Sequence, residues 1–240
     1  TTSNKFPHAQ TFNGLNYARN SVKVVIDAYE GKITFYVFDE KDPLIRSFSK
    51  MYPGLFRPSS EMPVGLRAHV RFSEDLLLLM AEAYKIYHMT NPHVFYNRED
   101  VWATAEELLG VNERHKMVPY YIVEKFPGHN RPEIALMLPF TPKNKPNLIG
   151  WLSARVEGEQ YGKLISYQFP KQETVLGPMQ IESRINADPK ISGQITLWNQ
   201  QGSRVKHGNL LVIPIENKVL LYLKPLYIES EQSPMPEIRG

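Results

Sequence analysis

Apolar and polar residues alternate twice near the start of the chain. Val22, Val24, Ile26 and Ala28 share one face of residues 21–29, and Ile33, Phe35 and Val37 share one face of 33–38. Glu30-Gly31 lies between them, and glycine supplies the positive φ that a tight turn needs, so the pattern predicts a β-hairpin. Asp42-Pro43 then predicts a short helix, with a capping carboxylate and proline at the first helical position. Ser73-Glu74-Asp75 predicts a second, because a capping hydroxyl precedes two acids at the positive end of the helix dipole. Leu76, Leu79, Met80, Ala83, Tyr84 and Tyr87 follow at helical spacing as its inward stripe, and Asn91-Pro92 ends it. Asn97 is expected to cap a further helix running to Leu109, with Gly110 closing it.

Beyond residue 110 the pattern shifts towards strands. Residues 120–126 and 134–140 read as strands around a turn at 127–132, and 163–169 as another. Gly177-Pro178 opens a helix carrying Met179, Ile181 and Ile185. Asp188-Pro189 opens one carrying Ile191, Ile195 and Trp198. Residues 210–215 and 219–227 form a closing hairpin around Glu216-Asn217-Lys218, and the polar tail 230–240 is expected to fray. Helices and strands come in runs rather than strict alternation. That predicts an α+β fold, with mostly antiparallel sheets and helices packed on one side. The whole chain reads as one unit, which a boundary near residue 96 would divide into lobes 1–95 and 96–229.

Composition supports a core and removes several chemistries. The 240 residues are 42% hydrophobic and 22% charged, ordinary for a globular domain. The absence of cysteine excludes disulfides, thiolate metal sites and cysteine nucleophiles. Net charge is +3, but the basic residues are scattered, so nucleic acid is not an expected partner. The densest group is Lys143, Lys145, Arg155 and Lys163. The longest apolar run, residues 76–81, falls well short of the ~18 residues that span a bilayer. It reads as a buried helix.

Searches for catalytic signatures return little. His88 and His93 are the one close histidine pair, separated by Pro92, and no His-Glu-x-x-His occurs, so no metal is expected. Gly158-Glu159-Gln160-Tyr161-Gly162-Lys163-Leu164 is one residue short of a phosphate loop and lacks the hydroxyl after its lysine. It reads as a tight turn entering a strand. No Gly-x-Ser-x-Gly or Gly-x-Gly-x-x-Gly is present, and no cofactor is expected.

Two groups of polar residues stand out as candidate ligand-binding positions. Arg155, Glu157, Glu159 and Tyr161 place opposite charges and an aromatic ring on one turn, where surface ion pairs are the simpler explanation. Gln180, Glu182, Arg184, Gln201 and Arg204 lie on the late helices and just after them. There, a buried network fixing how the helices pack competes with binding. Glu106/Glu107 is a third carboxylate pair, expected on the outer face of a helix.

A set of segments carries a resemblance. Leu138-Pro139-Phe140-Thr141-Pro142 leads to Asn147-Leu148-Ile149-Gly150-Trp151, then Phe169-Pro170-Lys171-Gln172, Gly177-Pro178-Met179-Gln180-Ile181-Glu182 and Leu197-Trp198-Asn199-Gln200-Gln201-Gly202-Ser203. Gly208-Asn209-Leu210-Leu211-Val212-Ile213-Pro214-Ile215 completes the series, and Asn16-Tyr17-Ala18-Arg19-Asn20-Ser21 agrees. Together they resemble uncharacterised protein family 0182, a family of bacterial membrane proteins. The resemblance implies transmembrane helices upstream of a large soluble part on the extracytoplasmic side. The implied partners are those helices and a ligand or protein of the cell envelope. It brings no catalytic residues. The expectation is a non-enzymatic binding domain. The alternative is an envelope-acting hydrolase using Glu157, Glu159 and Arg155, with His88 as an acid–base group.

Overall fold

The computed structural model describes residues 1–12, 14–108, 113–126, 131–200, 202–215, 219–230 and 235–239. The hairpin predicted near the start is present. Strand β3 (Val22–Ile26) pairs antiparallel with β4 (Ile33–Val37), Val24 facing Phe35, and Gly31 takes φ +66° in the turn. Before it, β1 (Thr2–Ser3) and β2 (Tyr17–Ala18) form a small antiparallel pair. After it, helix α1 (Pro43–Met51) crosses over to β5 (Phe56–Pro58), which pairs parallel with β4. The apolar face of the hairpin is left partly open, for Val24, Ile26 and Ile33 are exposed. On the opposite face Tyr36 is buried, and Lys23 donates to the Arg71 carbonyl at 3.1 Å.

Asp42 caps α1 as expected, accepting from Leu44 N at 2.9 Å. It also accepts from the hydroxyls of Thr1, of Ser21 at 2.5 Å and of Tyr17 at 2.6 Å. It is thus both a helix cap and the fully buried hub tying α1 to the first strands.

The short helix α2 (Val64–Arg67) precedes α3 (Glu74–Tyr87), whose cap Ser73 accepts from Leu76 N. Its inward face differs from the expected stripe. Leu77 and Ala81 are fully buried, while Met80 and Tyr87 face outward. Four consecutive leucines fit several stripes, and packing against Trp102, Leu138 and Phe140 selects this one.

The described residues of the helix expected from Asn97 to Leu109 do not form it, and Leu109 lies outside them. Asn91 caps an earlier, shorter helix, α4 (Pro92–Asn97), which ends with Arg98 at φ 56°. The chain then extends as β6 (Trp102–Thr104) and β7 (Glu106–Leu108), the latter paired with β8 (Arg114–Lys116). Helix propensity lost to burial: Trp102 and Thr104 point together into one side of the sheet, a period of two. Gly110 lies outside the described residues.

The central sheet is antiparallel. Strand β10 (Glu133–Pro142) pairs along one edge with β9 (Tyr120–Glu124) and then β6, and along the other with β11 (Gly150–Arg155). Strand β12 (Leu164–Gln168) completes it beyond β11. Leu136, Leu138 and Phe140 face a core shared with α3, whereas Ala135 and Met137 face a second core shared with Trp151 and Val212. The first core joins Phe72 and Leu77 to Trp102 and Leu136, so residues on both sides of position 96 build it. Gly150 sits where β11 meets β12, and a β-carbon there would lie 2.0 Å from the Tyr167 carbonyl oxygen.

Helices α5 (Pro178–Ala187) and α6 (Pro189–Trp198) begin at the expected prolines, Asp188 capping α6 through Lys190 N and Ile191 N. Helix α6 fully buries no side chain: Ile191 is exposed, and Ile195 and Trp198 are half-buried. Strand β13 (Ser203–His207) pairs with β16 (Leu226–Ser230), and β14 (Leu211–Ile215) with β15 (Val219–Leu223). The predicted strand 219–227 is therefore two strands, and the connecting residues 216–218 lie outside those described. Among the described tail residues, β17 (Glu237–Ile238) pairs with Tyr227 and Ile228. The architecture is α+β with mostly antiparallel sheets. No described helix is long and apolar enough to cross a membrane.

Candidate functional site

Glu107, read from sequence as an outward helical residue, is 2% exposed on β7. One of its oxygens accepts from Leu210 N at 2.6 Å and lies 3.7 Å from Lys224 Nζ. Lys224 follows β15. Its side chain is 6% exposed and donates to Glu182 and, at 2.8 Å, to the Leu108 carbonyl. Glu182 projects from α5, is 3% exposed, and also accepts from Leu108 N at 2.5 Å. Two carboxylates thus enclose one ammonium, with half-buried His207 beside them. Burial raises the Glu107 carboxyl above its ordinary value. The Leu210 N–H and Lys224 oppose that shift, and Glu182 adds to it. Burial, with Lys224, lowers His207. The space left beside this centre is about 10 Å³, room for no more than a water molecule. Its role is to bind α5, β7 and the last strands together. Glu182 therefore belongs to the packing network weighed in the sequence.

Of the clefts described here, the largest opens at the other end of the central sheet and measures about 820 Å³. One wall comes from α2 and the residues after it (Val64, Arg67, Ala68, Val70). The other comes from the turn after β11 (Val156, Glu157, Gly158, Tyr161), and Phe38 closes the end. The tight turn read in the sequence is present. Gly158 and Gly162 take φ 66° and 80°, and Gly162 N donates to the Arg155 carbonyl at 2.9 Å. Tyr161 is fixed by its hydroxyl, which donates to the Arg71 carbonyl at 3.1 Å, and by Lys23, whose ammonium lies 5.5 Å above the ring. Burial pushes the Tyr161 phenol up to about 12, so it stays a neutral donor. Arg67 donates to the Ser59 carbonyl and lies 5.7 Å above the Phe38 ring. Glu157 has no ion-pair partner among the described residues. Apolar walls with one guanidinium and one carboxylate suit a molecule with an apolar body and a charged end. Among the described side chains, the cleft lining holds one carboxylate and no histidine, serine or threonine.

The remaining candidate positions disperse. Arg155 is 4% exposed and spends its guanidinium on Glu133, at 3.0 Å from Nε, while lying 5.0 Å over the Phe126 ring. It supports the sheet from inside and is absent from the lining of the cleft. Glu159 lies in the turn between Glu157 and Tyr161. Gln180 caps its own helix, accepting from Gly177 N at 2.9 Å. Arg184 and Arg204 are exposed, and Gln201 lies outside the described residues. His88 stacks on Trp102 at 3.8 Å and its Nδ1 meets the Tyr84 carbonyl, which makes it a helix-end packing residue. Among the described residues no three His, Asp or Glu side chains converge as a metal site. Sequence reasoning missed Lys224, Arg67 and Phe38 and misplaced Glu107. Local pattern offers no signal for any of them, since each acts through residues far along the chain.

Comparison with known proteins gives a consistent result. The model of an uncharacterised protein family (UPF0182) matches residues 1–198. A UPF0182 protein of Pelotomaculum thermopropionicum is 55% identical over 240 residues, covering 100% of this chain and 26% of the relative. One from Desulforamulus reducens is 53% identical over 241 residues, with the same coverage. One from Methanospirillum hungatei is 50% identical over 239 residues, covering 97% of this chain and 26% of the relative. The chain spans about a quarter of the length of these curated relatives. No solved structure matches it.

Proposed function

Because the chain belongs to the uncharacterised protein family UPF0182, we propose that it is the extracytoplasmic part of a larger membrane protein and binds an amphipathic envelope molecule in the cleft beside Tyr161. The observation that carries binding is the cleft itself, about 820 Å³ of largely apolar wall with Arg67 and Glu157 as its charged points. A preformed concave site with a few polar groups is the usual form of a small-molecule site. The largely apolar walls, with Arg67 and Glu157 as the charged groups among the described lining side chains, suit binding of an amphipathic molecule. The extracytoplasmic placement rests on the resemblance described above and on relatives that extend well beyond this segment.

Two experiments test the halves of the proposal separately. The dye 1-anilinonaphthalene-8-sulfonate carries an apolar body and an anionic end, and it should bind the purified chain saturably. Ala68→Trp fills the cleft from an exposed position and should abolish that binding without lowering the melting temperature. Dye binding indifferent to Ala68→Trp would remove the cleft from consideration. For placement, Val64→Cys puts a single thiol at an exposed site in a segment without cysteine. In the full-length protein, a membrane-impermeant maleimide should label it in intact cells. Labelling only after lysis would overturn the placement.

A further inference from the structure

A second cleft lies on the side of the sheet away from α3. It measures about 480 Å³ and is enclosed by β6, the end of β10, the loop that follows, and the start of α5. Its charge is lopsided. Among the described residues, Arg114, Lys143 and Lys145 line it against the single carboxylate of Glu106. None of the three cations has a carboxylate partner among the described residues. Such an arrangement leaves their charge available to a ligand.

The floor adds a directed donor. Thr141 lies opposite Ala103 in the β10–β6 register, and both line the cleft. Phe140, the preceding residue, faces the other way into the core with α3. Thr141 is 9% exposed, and its hydroxyl has no hydrogen-bond partner among the described residues. The hydroxyl is not sealed within the protein, so it is open to the cleft and can donate to a ligand there.

The third contribution comes from α5, ten residues long, whose first turn (Pro178, Met179, Gln180) lines the same cleft. That end of the helix carries the positive pole of its dipole. The parts are held in place before any ligand arrives. Leu148 N donates to the Val175 carbonyl at 2.9 Å, and a β-carbon on Gly177 would meet the Pro146 carbonyl oxygen at 1.8 Å. The lysine loop is thus pressed against the helix start, and preorganised donors lose little entropy on binding.

A guanidinium, two ammonium groups, an unpaired hydroxyl lining the cleft and a helix N-terminus, converging from four segments, match a compact anion with several acceptor oxygens. We propose that this cleft binds a phosphate group, as a phosphomonoester or phosphodiester. The site is separate from the cleft beside Tyr161 and stands whether or not that cleft is occupied.

Titration calorimetry of the purified chain with inorganic phosphate, and sedimentation with phosphatidylglycerol and phosphatidylcholine vesicles, test the proposal and separate its sources. Saturable binding of phosphate alone supports a soluble phosphoester. Binding to phosphatidylglycerol but not phosphatidylcholine vesicles supports a lipid headgroup. In either case Lys143→Gln with Lys145→Gln should weaken binding about tenfold, equivalent to ~1.4 kcal/mol. Thr141→Val should weaken it severalfold with the melting temperature retained. Lys190→Gln, which removes an exposed charge on α6, should change nothing. The proposal is overturned if neither probe binds, or if Lys190→Gln weakens binding as much as the loop variants do.

Discussion

Glu107 accepts the backbone N–H of Leu210 at 2.6 Å across 103 residues of chain. Lys224 lies 3.7 Å from the same carboxylate. Removing this lysine would leave Glu107 and Glu182 buried against each other with no countercharge. Lys224→Met should therefore destabilise the fold by about 3–5 kcal/mol, read as a lowered midpoint in urea. A loss within experimental error would mean that water already reaches the two acids.

The buried carboxyl groups of Asp42 and Glu107 respond to pH with opposite sign. Asp42 is lowered from 3.8 to about 2: burial alone would raise it, but the hydroxyls of Ser21, Thr1 and Tyr17 and the Leu44 N–H outweigh burial. A depressed carboxyl stabilises the fold above its unfolded value and loses that contribution as pH falls through its folded one. Stability should drop between pH 3.8 and about 2 by about 2 kcal/mol, and Asp42→Asn should abolish the drop. Urea unfolding at a series of acid pH values measures both.

Glu107 is raised above 4.5, first by burial. Its folded state holds the proton longer than the unfolded chain does, so its contribution fades as pH climbs from 4.5 through the folded value. His207, lowered from 6.5 by burial and by Lys224, acts in the opposite sense, losing stability as pH falls below 6.5. The two partly cancel in the wild-type profile. Comparing wild type with Glu107→Gln isolates the first. The variant should lose stability less steeply than wild type on the rise from pH 4.5, and an unchanged slope would refute the assignment.

Gly150→Ala should be among the most damaging small substitutions in the molecule. The added methyl would meet backbone, the Tyr167 carbonyl oxygen at 2.0 Å, which cannot swing aside as a side chain can. Strands β11 and β12 would have to part there, at a cost of roughly 3 kcal/mol or more, typical of severe core substitutions. Thermal melting reports it. Gly193→Ala, on α6 with open space around its β-carbon, should be neutral or slightly stabilising.

Local chemistry was legible in the sequence. Asp42-Pro43, Ser73-Glu74-Asp75 and Asp188-Pro189 announce helix starts because a cap needs only the next three residues. The hairpin of β3 and β4 was legible for the same reason. Strand β11 was not. All six of its residues are buried, including Ser153 and Arg155, so no alternation of polar and apolar residues marks it. Glu107 reads as a surface acid until Leu210 and Lys224 are placed beside it. The cleft was half legible. Glu157 and Tyr161 were picked out, but the opposing wall from Val64 to Val70 comes from about ninety residues earlier, as the Tyr161–Arg71 bond across 90 positions shows.

The spread of these partners along the chain also sets a timetable. Strands β9 to β12 pair with near neighbours, each loop between them being short. Short loops close at little entropic cost, so this sheet can assemble early. Lys224 and the Leu108 carbonyl stand 116 residues apart and meet only when the last strands arrive. Pulse-labelled hydrogen exchange during refolding should protect the Leu136 amide before that of Leu210, and the reverse order would contradict this sequence of events. The ionic centre that fastens the finished molecule is thereby expected to be the latest part of it to form.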